Sequence, residues 1–171
     1  MPQEHIFADP ITEKIAVFLN GIGIPLLSAV LDGPTFLPGI LVENGRLLVD
    51  EAKLLYPGDL LHEAGHLAVA PAALRGSLSD EVHLPDAHPG QIEMEAILWS
   101  YAAALHLEID PRVVFHDHGY YGRSPGLLFN FSVGVYPGIK GLHEYGMTLY
   151  EAEAAAQNAR PFPEMRKWLR D

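Results

Sequence analysis

Cysteine is absent from the 171 residues. That removes disulfide frameworks, thiol nucleophiles and Cys-type zinc sites, and leaves any metal to be held by His, Asp or Glu. Basic residues are scarce: 11 Lys and Arg stand against 22 Asp and Glu, for a formal charge of -11. A phosphate backbone is bound through clustered cations that displace its counterions, so no direct nucleic-acid partner is expected. Long apolar runs are missing too. No stretch approaches a membrane span, and Met1 to Asp9 has neither the basic start nor the apolar run of a signal peptide. The expectation is a cytoplasmic protein with no membrane partner.

What the chain does have is material for a core. It is 49% hydrophobic and 19% charged, a balance that suits one domain over residues 1–171. Asp9-Pro10 can cap and open a helix whose apolar stripe is Ile11, Ile15, Phe18 and Leu19, ending at Asn20-Gly21. Gly and Pro break residues 21–38 into short extended pieces. Two apolar segments in 39–49 meet at Asn44-Gly45, the dipeptide of a tight hairpin turn. Such a hairpin could pair an extended peptide along its edge.

A second helix is expected over 57–70, from Leu60, Leu61, Ala64, Leu67 and Ala68, with Pro71 stopping it. Residues 71–90 read as a long irregular connection and 91–107 as a third helix, on which Met94, Trp99 and Tyr101 are core candidates. The Gly-rich and aromatic-rich stretch from there to Gly146 gives no usable period. Thr148 and Glu151 suggest a capping box for a helix to about residue 160, with a short helix after Pro163.

The second helix carries His62-Glu63-Ala64-Gly65-His66. Histidines four residues apart lie one above the other on a helix, so both imidazoles can reach one ion. Glu63 points about 100° around the axis, off the ion but within reach of a water on it. Zinc lowers the pKa of bound water to roughly 7, and a carboxylate so placed can take the proton as general base. In a chain with nine histidines the pattern arises by chance on the order of once in thirty sequences, so context has to support it. Gly65 supplies some. It costs about 1 kcal/mol of helix propensity, which implies close approach by another backbone or a substrate.

Zinc also needs a third protein ligand. Glu93 shares a helix face with Ala96, Ser100 and Ala103, small residues that permit close packing, and is preferred. Glu95 shares its face with Leu98, Trp99 and Ala102, and reads better as an exposed first-turn acid favoured by the helix dipole. His83 and His88 are further alternatives. His116, Asp117, His118, Tyr120 and Tyr121 either supply a donor to an oxyanion or form a polar loop with packed tyrosines. Asp59, one turn before His62, either orients a ligand imidazole or serves the helix dipole. His143-Glu144 has Met147 where a second His would be needed.

The helix of His62 to His66, a hairpin before it, and a later helix bearing Glu93-Met94-Glu95-Ala96 with Trp99 and Tyr101-Ala102-Ala103 resemble the gluzincin-type HExxH metallopeptidases. The nearest resemblance is to the ImmA/IrrE group, over about residues 39–105, with Ile97 where that group usually has Asn and Trp99 where it has Phe. The resemblance implies an α+β, zincin-like fold in which a small sheet or hairpin packs on a helical core. It also implies His62, His66 and Glu93 as zinc ligands, Glu63 as the catalytic base, and a peptide or protein substrate, which for that group is a transcriptional repressor. The expectation is a zinc-dependent metallopeptidase. The alternative is a zinc-binding regulatory or protein-interaction domain that does not turn over.

Overall fold

The computed structural model describes residues 6–80 and 88–171. It is an α+β arrangement of one small sheet and, among the described residues, eight α-helices. The first helix, α1, spans Pro10–Ile22. Asp9 caps it by accepting from the Thr12 N–H at 2.7 Å, and Gly23 closes it in the left-handed conformation at φ 95°. The helix therefore runs past Asn20-Gly21 to the next glycine.

The strands are β1 (Leu26–Ser28), β2 (Ile40–Glu43) and β3 (Arg46–Val49), in the order β1-β3-β2. The expected hairpin is β2 and β3, antiparallel with Ile40 opposite Val49. Asn44 and Gly45 turn between them at φ 51° and 71°, and positive φ at both positions defines a turn whose twist matches the strands. β1 pairs parallel to β3, Leu26 to Leu47. Leu26, Ile40, Val42, Leu47 and Val49 are buried and give the sheet its core face.

The hairpin edge is not free for a peptide, contrary to the expectation from sequence. The Asp80 N–H donates to the Val42 carbonyl at 3.1 Å, and the Val42 N–H donates back to Asp80 Oδ1 at 3.3 Å. On the far edge the Asn20 amide bonds both the N–H and the carbonyl of Leu26. Short strands with covered edges resist further strand addition.

Two helices dominate the rest. α2 covers Asp59–Val69 and α4 covers Pro89–His106, and they are packed more extensively on each other than any other pair of elements. Gly58 stands at the N-cap of α2, where a Cβ would come within 2.1 Å of the Val113 carbonyl oxygen. Its other end shows where orphaned helix carbonyls go. Arg75 donates to the carbonyls of Leu67 and Ala70 at 2.9 and 3.1 Å. The Arg170 N–H and guanidinium serve those of Ala68 and Val69 at 2.9 and 3.3 Å. Both cations sit where the helix dipole favours them.

The connection after α2 holds a four-residue helix, α3 (Ala72–Arg75), and residues 81–87, with His83, lie outside the described residues. The unphased stretch is helical in short pieces: α5 (Pro111–Val114), a 3-10 turn at Tyr120–Gly122, α6 (Ser124–Ser132) and α7 (Ile139–Glu144). The last helix, α8 (Glu151–Ala156), is shorter than expected and starts from Tyr150, whose N–H is held by Glu153. Thr148 donates instead to the Glu164 carbonyl, and no helix follows Pro163. One buried cluster runs from Phe7 to Phe162, with Trp99 at its centre donating to the Trp168 carbonyl. No helix is long and apolar enough to cross a membrane among the described residues.

Candidate metal centre

α2 places His62 and His66 one turn apart, their rings at right angles and their Nε2 atoms 3.2 Å from each other. α4 crosses so that Glu93 faces both: Oε1 is 3.5 Å from His62 Nε2 and Oε2 is 3.1 Å from His66 Nε2. The close approach comes from Gly65. A Cβ there would lie 2.7 Å from the Ala96 carbonyl oxygen, so any larger residue would push the helices apart. The small face of Ala96, Ser100 and Ala103 is fully buried, as close packing requires. Among the described residues, His62, His66 and Glu93 form the His/Asp/Glu cluster able to hold a metal ion.

Its dimensions test that capacity. Three donors each about 2.0–2.1 Å from a tetrahedral ion stand about 3.3 Å from one another. Here the two Nε2 atoms are 3.2 Å apart and each faces its own Glu93 oxygen, at 3.5 Å (Oε1) and 3.1 Å (Oε2); taking one atom from each residue, the three donors lie within 4.8 Å of one another, so small side-chain movements close them on an ion. Two imidazoles and a carboxylate are also the borderline ligands a zinc-type cation prefers. The residues fit such an ion.

The electrostatics are those of a partly dry site. Burial, aided by the neighbouring charge of His66, lowers the His62 pKa to about 4, against the pull of Glu93, so this imidazole is neutral near pH 7. Burial also opposes charge on His66, but the hydrogen bond it donates to Glu93 and the charges of Glu63 and Glu93 outweigh it, and its pKa is raised. For Glu93 burial is likewise overcome by the bond to His66 and the charges of His62, His66 and Arg123, and its pKa is lowered. Glu63, half-buried on α2, is raised to about 7, first by burial and then by Asp80, Glu93 and Asp59, with His66 opposing. A carboxyl poised near neutrality suits proton transfer. Side-chain exposures of 32% for His66 and 41% for Glu93 leave the cluster open to solvent on that side.

The remaining candidates are redistributed. Glu95 is not an exposed first-turn acid: it is fully buried, accepts from Tyr145 Oη at 3.1 Å and from Gln91 at 2.9 Å, and lies against Gly141. Asp59 pairs with His116, at 2.8 Å, instead of with His62 or His66, and His116 stacks on Tyr56 at 3.9 Å. Tyr120 reaches the cluster, with Oη 3.2 Å from His62 Nδ1. Tyr121, Asp117 and His118 are exposed, His88 is exposed ahead of α4, and His143 pairs with Glu153. The sequence offers Tyr120 only as one of five candidates for an oxyanion donor or a polar loop; nothing local in the chain signals contact with an imidazole 58 residues away.

Compared with known proteins, the chain matches no family model, no curated protein and no solved structure.

Proposed function

We propose that the chain is a zinc-dependent hydrolase of zincin-like fold that cleaves peptide bonds. The observation that carries the reading is the His62, His66 and Glu93 cluster, whose donor atoms lie within 4.8 Å of one another, beside a Glu63 carboxyl raised to about 7. His62 and His66 Nε2 and the Glu93 carboxylate would hold the ion, and a zinc so held polarises a carbonyl and acidifies water. Glu63 takes a proton from the attacking water as the new C–O bond forms. The same carboxyl returns that proton to the amine as the C–N bond breaks, so one side chain serves as base and then as acid. His66 and Glu93, 32% and 41% exposed, leave the cluster accessible from solvent.

The test uses purified protein, bound-metal analysis and a pool of fluorescence-quenched peptides. Near-stoichiometric zinc is expected, with turnover falling at least about 100-fold in Glu63→Gln while the metal is retained. Less than about 0.2 equivalents of metal after exposure to zinc sinks the metal reading. Cleavage by Glu63→Gln at the parent rate removes Glu63 from the mechanism. A zinc-loaded parent that cleaves no peptide in the pool supports the non-catalytic zinc domain instead.

A further inference from the structure

The surroundings of the metal cluster are acidic. Asp59 and Glu63 lie within one turn of His62 on α2, Glu93 belongs to the cluster, and the chain carries a formal charge of -11. One cation departs from this pattern. Arg123 follows the turn that brings Tyr120 to His62: its Nε donates to the Tyr120 carbonyl at 3.2 Å, and Tyr120 Oη lies 3.2 Å from His62 Nδ1. The guanidinium is therefore one tyrosine length from a ligand imidazole, a span that an extended peptide covers in about two to four residues at about 3.3 Å each. Its charge also acts on Glu93, the most exposed side chain of the cluster.

Arg123 is held in place but its donors are largely unspent. A guanidinium presents five N–H groups in a planar fork. One goes to the Tyr120 carbonyl, and the ion lies over the Tyr121 ring, 5.9 Å from its centroid, within reach of a cation–π contact. Among the described residues no carboxylate pairs with it, whereas Arg46, Arg112 and Lys167 each have one. The remaining edge of the fork is open to solvent, since the residue is exposed.

The backbone that sets this arrangement is strained. Tyr120, Tyr121 and Gly122 have positive φ in succession, at 56°, 54° and 75°, a conformation that bulky side chains rarely adopt. Tyr121 gains no burial by it, being 94% exposed. Strain without local gain fits a segment shaped to present groups to a ligand.

We propose that Arg123, steadied by the Tyr120 carbonyl and the Tyr121 ring, is a subsite for an anionic group of the substrate, gripped by the open edge of the guanidinium a few residues from the scissile bond. The subsite rests on the peptidase reading for its ligand being a peptide. A peptide carries such a group either as its C-terminal carboxylate or as an Asp or Glu side chain. Asp59, Glu63 and Glu93 repel both, so Arg123 decides whether this acidic site accepts them.

The test uses the zinc-loaded protein and fluorescence-quenched peptides in matched pairs: C-terminus free or amidated, and Glu or Gln beside the cleavage point. The parent is expected to favour the anionic member of at least one pair by about 10-fold or more in kcat/KM, expressed mainly in KM. Arg123→Gln should bring that ratio close to one, and Arg123→Lys, which keeps the charge without the fork, should restore part of it. A preference within the first pair identifies the C-terminal carboxylate, and within the second the side chain. A parent that treats both pairs alike, or a preference that survives Arg123→Gln, overturns the proposal. A second readout is independent of turnover: the Arg123 Nε–H resonance of Glu63→Gln, followed by 1H–15N NMR, should shift saturably with the anionic peptides and not with their neutral matches. If the parent cleaves no peptide, the peptidase reading falls and this titration decides alone. A saturable shift then keeps the anion subsite, and an unmoved resonance removes it.

Discussion

Two glutamates two positions apart illustrate how side-chain direction on a helix decides role. Glu93 leaves α4 on the face of Ala96, Ser100 and Ala103 and meets both histidines, whereas Glu95 leaves it into the core and is consumed by Tyr145 and Gln91. Glu93→Ala is therefore expected to abolish zinc uptake with little change in melting temperature. Glu95→Ala should retain zinc but lose about 2–3 kcal/mol of stability, because it leaves Tyr145 Oη and the Gln91 amide without their acceptor. Equal loss of metal in the two variants would end the assignment. The sequence supported this choice because helical spacing dictates which side chains share a face. It did not reveal that Glu95 is buried, because Gly141 and Tyr145, the residues that receive it, come from a stretch without readable period. Nor could it place Tyr120, whose approach to His62 depends on two left-handed tyrosines that no propensity favours.

At the level of elements, the site is the crossing of α2 and α4, and Gly65 sets its distance. Gly65→Ala ought to stabilise α2 by about 1 kcal/mol from helix propensity alone. The new Cβ would instead lie 2.7 Å from the Ala96 carbonyl oxygen. Overpacking of this sort costs about 1–3 kcal/mol, and here it also moves Glu93 away from the histidines. A lower melting temperature together with weaker zinc binding is the expected outcome; a stabilised variant with full zinc affinity would show that the helices are not held by this contact. The C-terminal end of α2 offers a second check. Arg75→Met frees the Leu67 and Ala70 carbonyls, and a loss of about 1–3 kcal/mol in denaturant unfolding is expected. The hairpin and α2 were legible because each has its own local signal, Asn44-Gly45 in one and an apolar face ended by Pro71 in the other. The elements between Pro111 and Glu144 were not. Helices of 4 to 9 residues are too short for a 3.6-residue period to show, and they are stable here through packing on α4.

For the whole molecule, the site couples metal, protons and folding. Without metal, the folded state holds protons more tightly than the unfolded chain at His66, whose pKa is raised above 6.5, and at Glu63, raised from 4.5 to about 7. A group with a raised folded pKa contributes stability that is complete below its unfolded pKa and is lost as pH climbs through the folded one. His62 acts oppositely, since its pKa falls to about 4, but that contribution is complete once pH exceeds the unfolded value of 6.5. Above that point only the losses from His66 and Glu63 remain, so the metal-free protein should become less stable from about pH 6.5 upward. Zinc is expected to reverse the trend. Bound as proposed, it would replace the His66 proton, bind more tightly as protons become scarce, and stabilise the fold by about 2.7 kcal/mol when free metal is 100 times the dissociation constant. The rise in melting temperature on adding zinc is thus expected to be larger at about pH 8 than at about pH 6, and to vanish in His66→Ala at both. A zinc-induced rise of the same size at both values, or one that survives in His66→Ala, would mean that the ion binds elsewhere on this acidic chain. Stability measured with and without metal at two pH values therefore locates the site without any knowledge of the substrate.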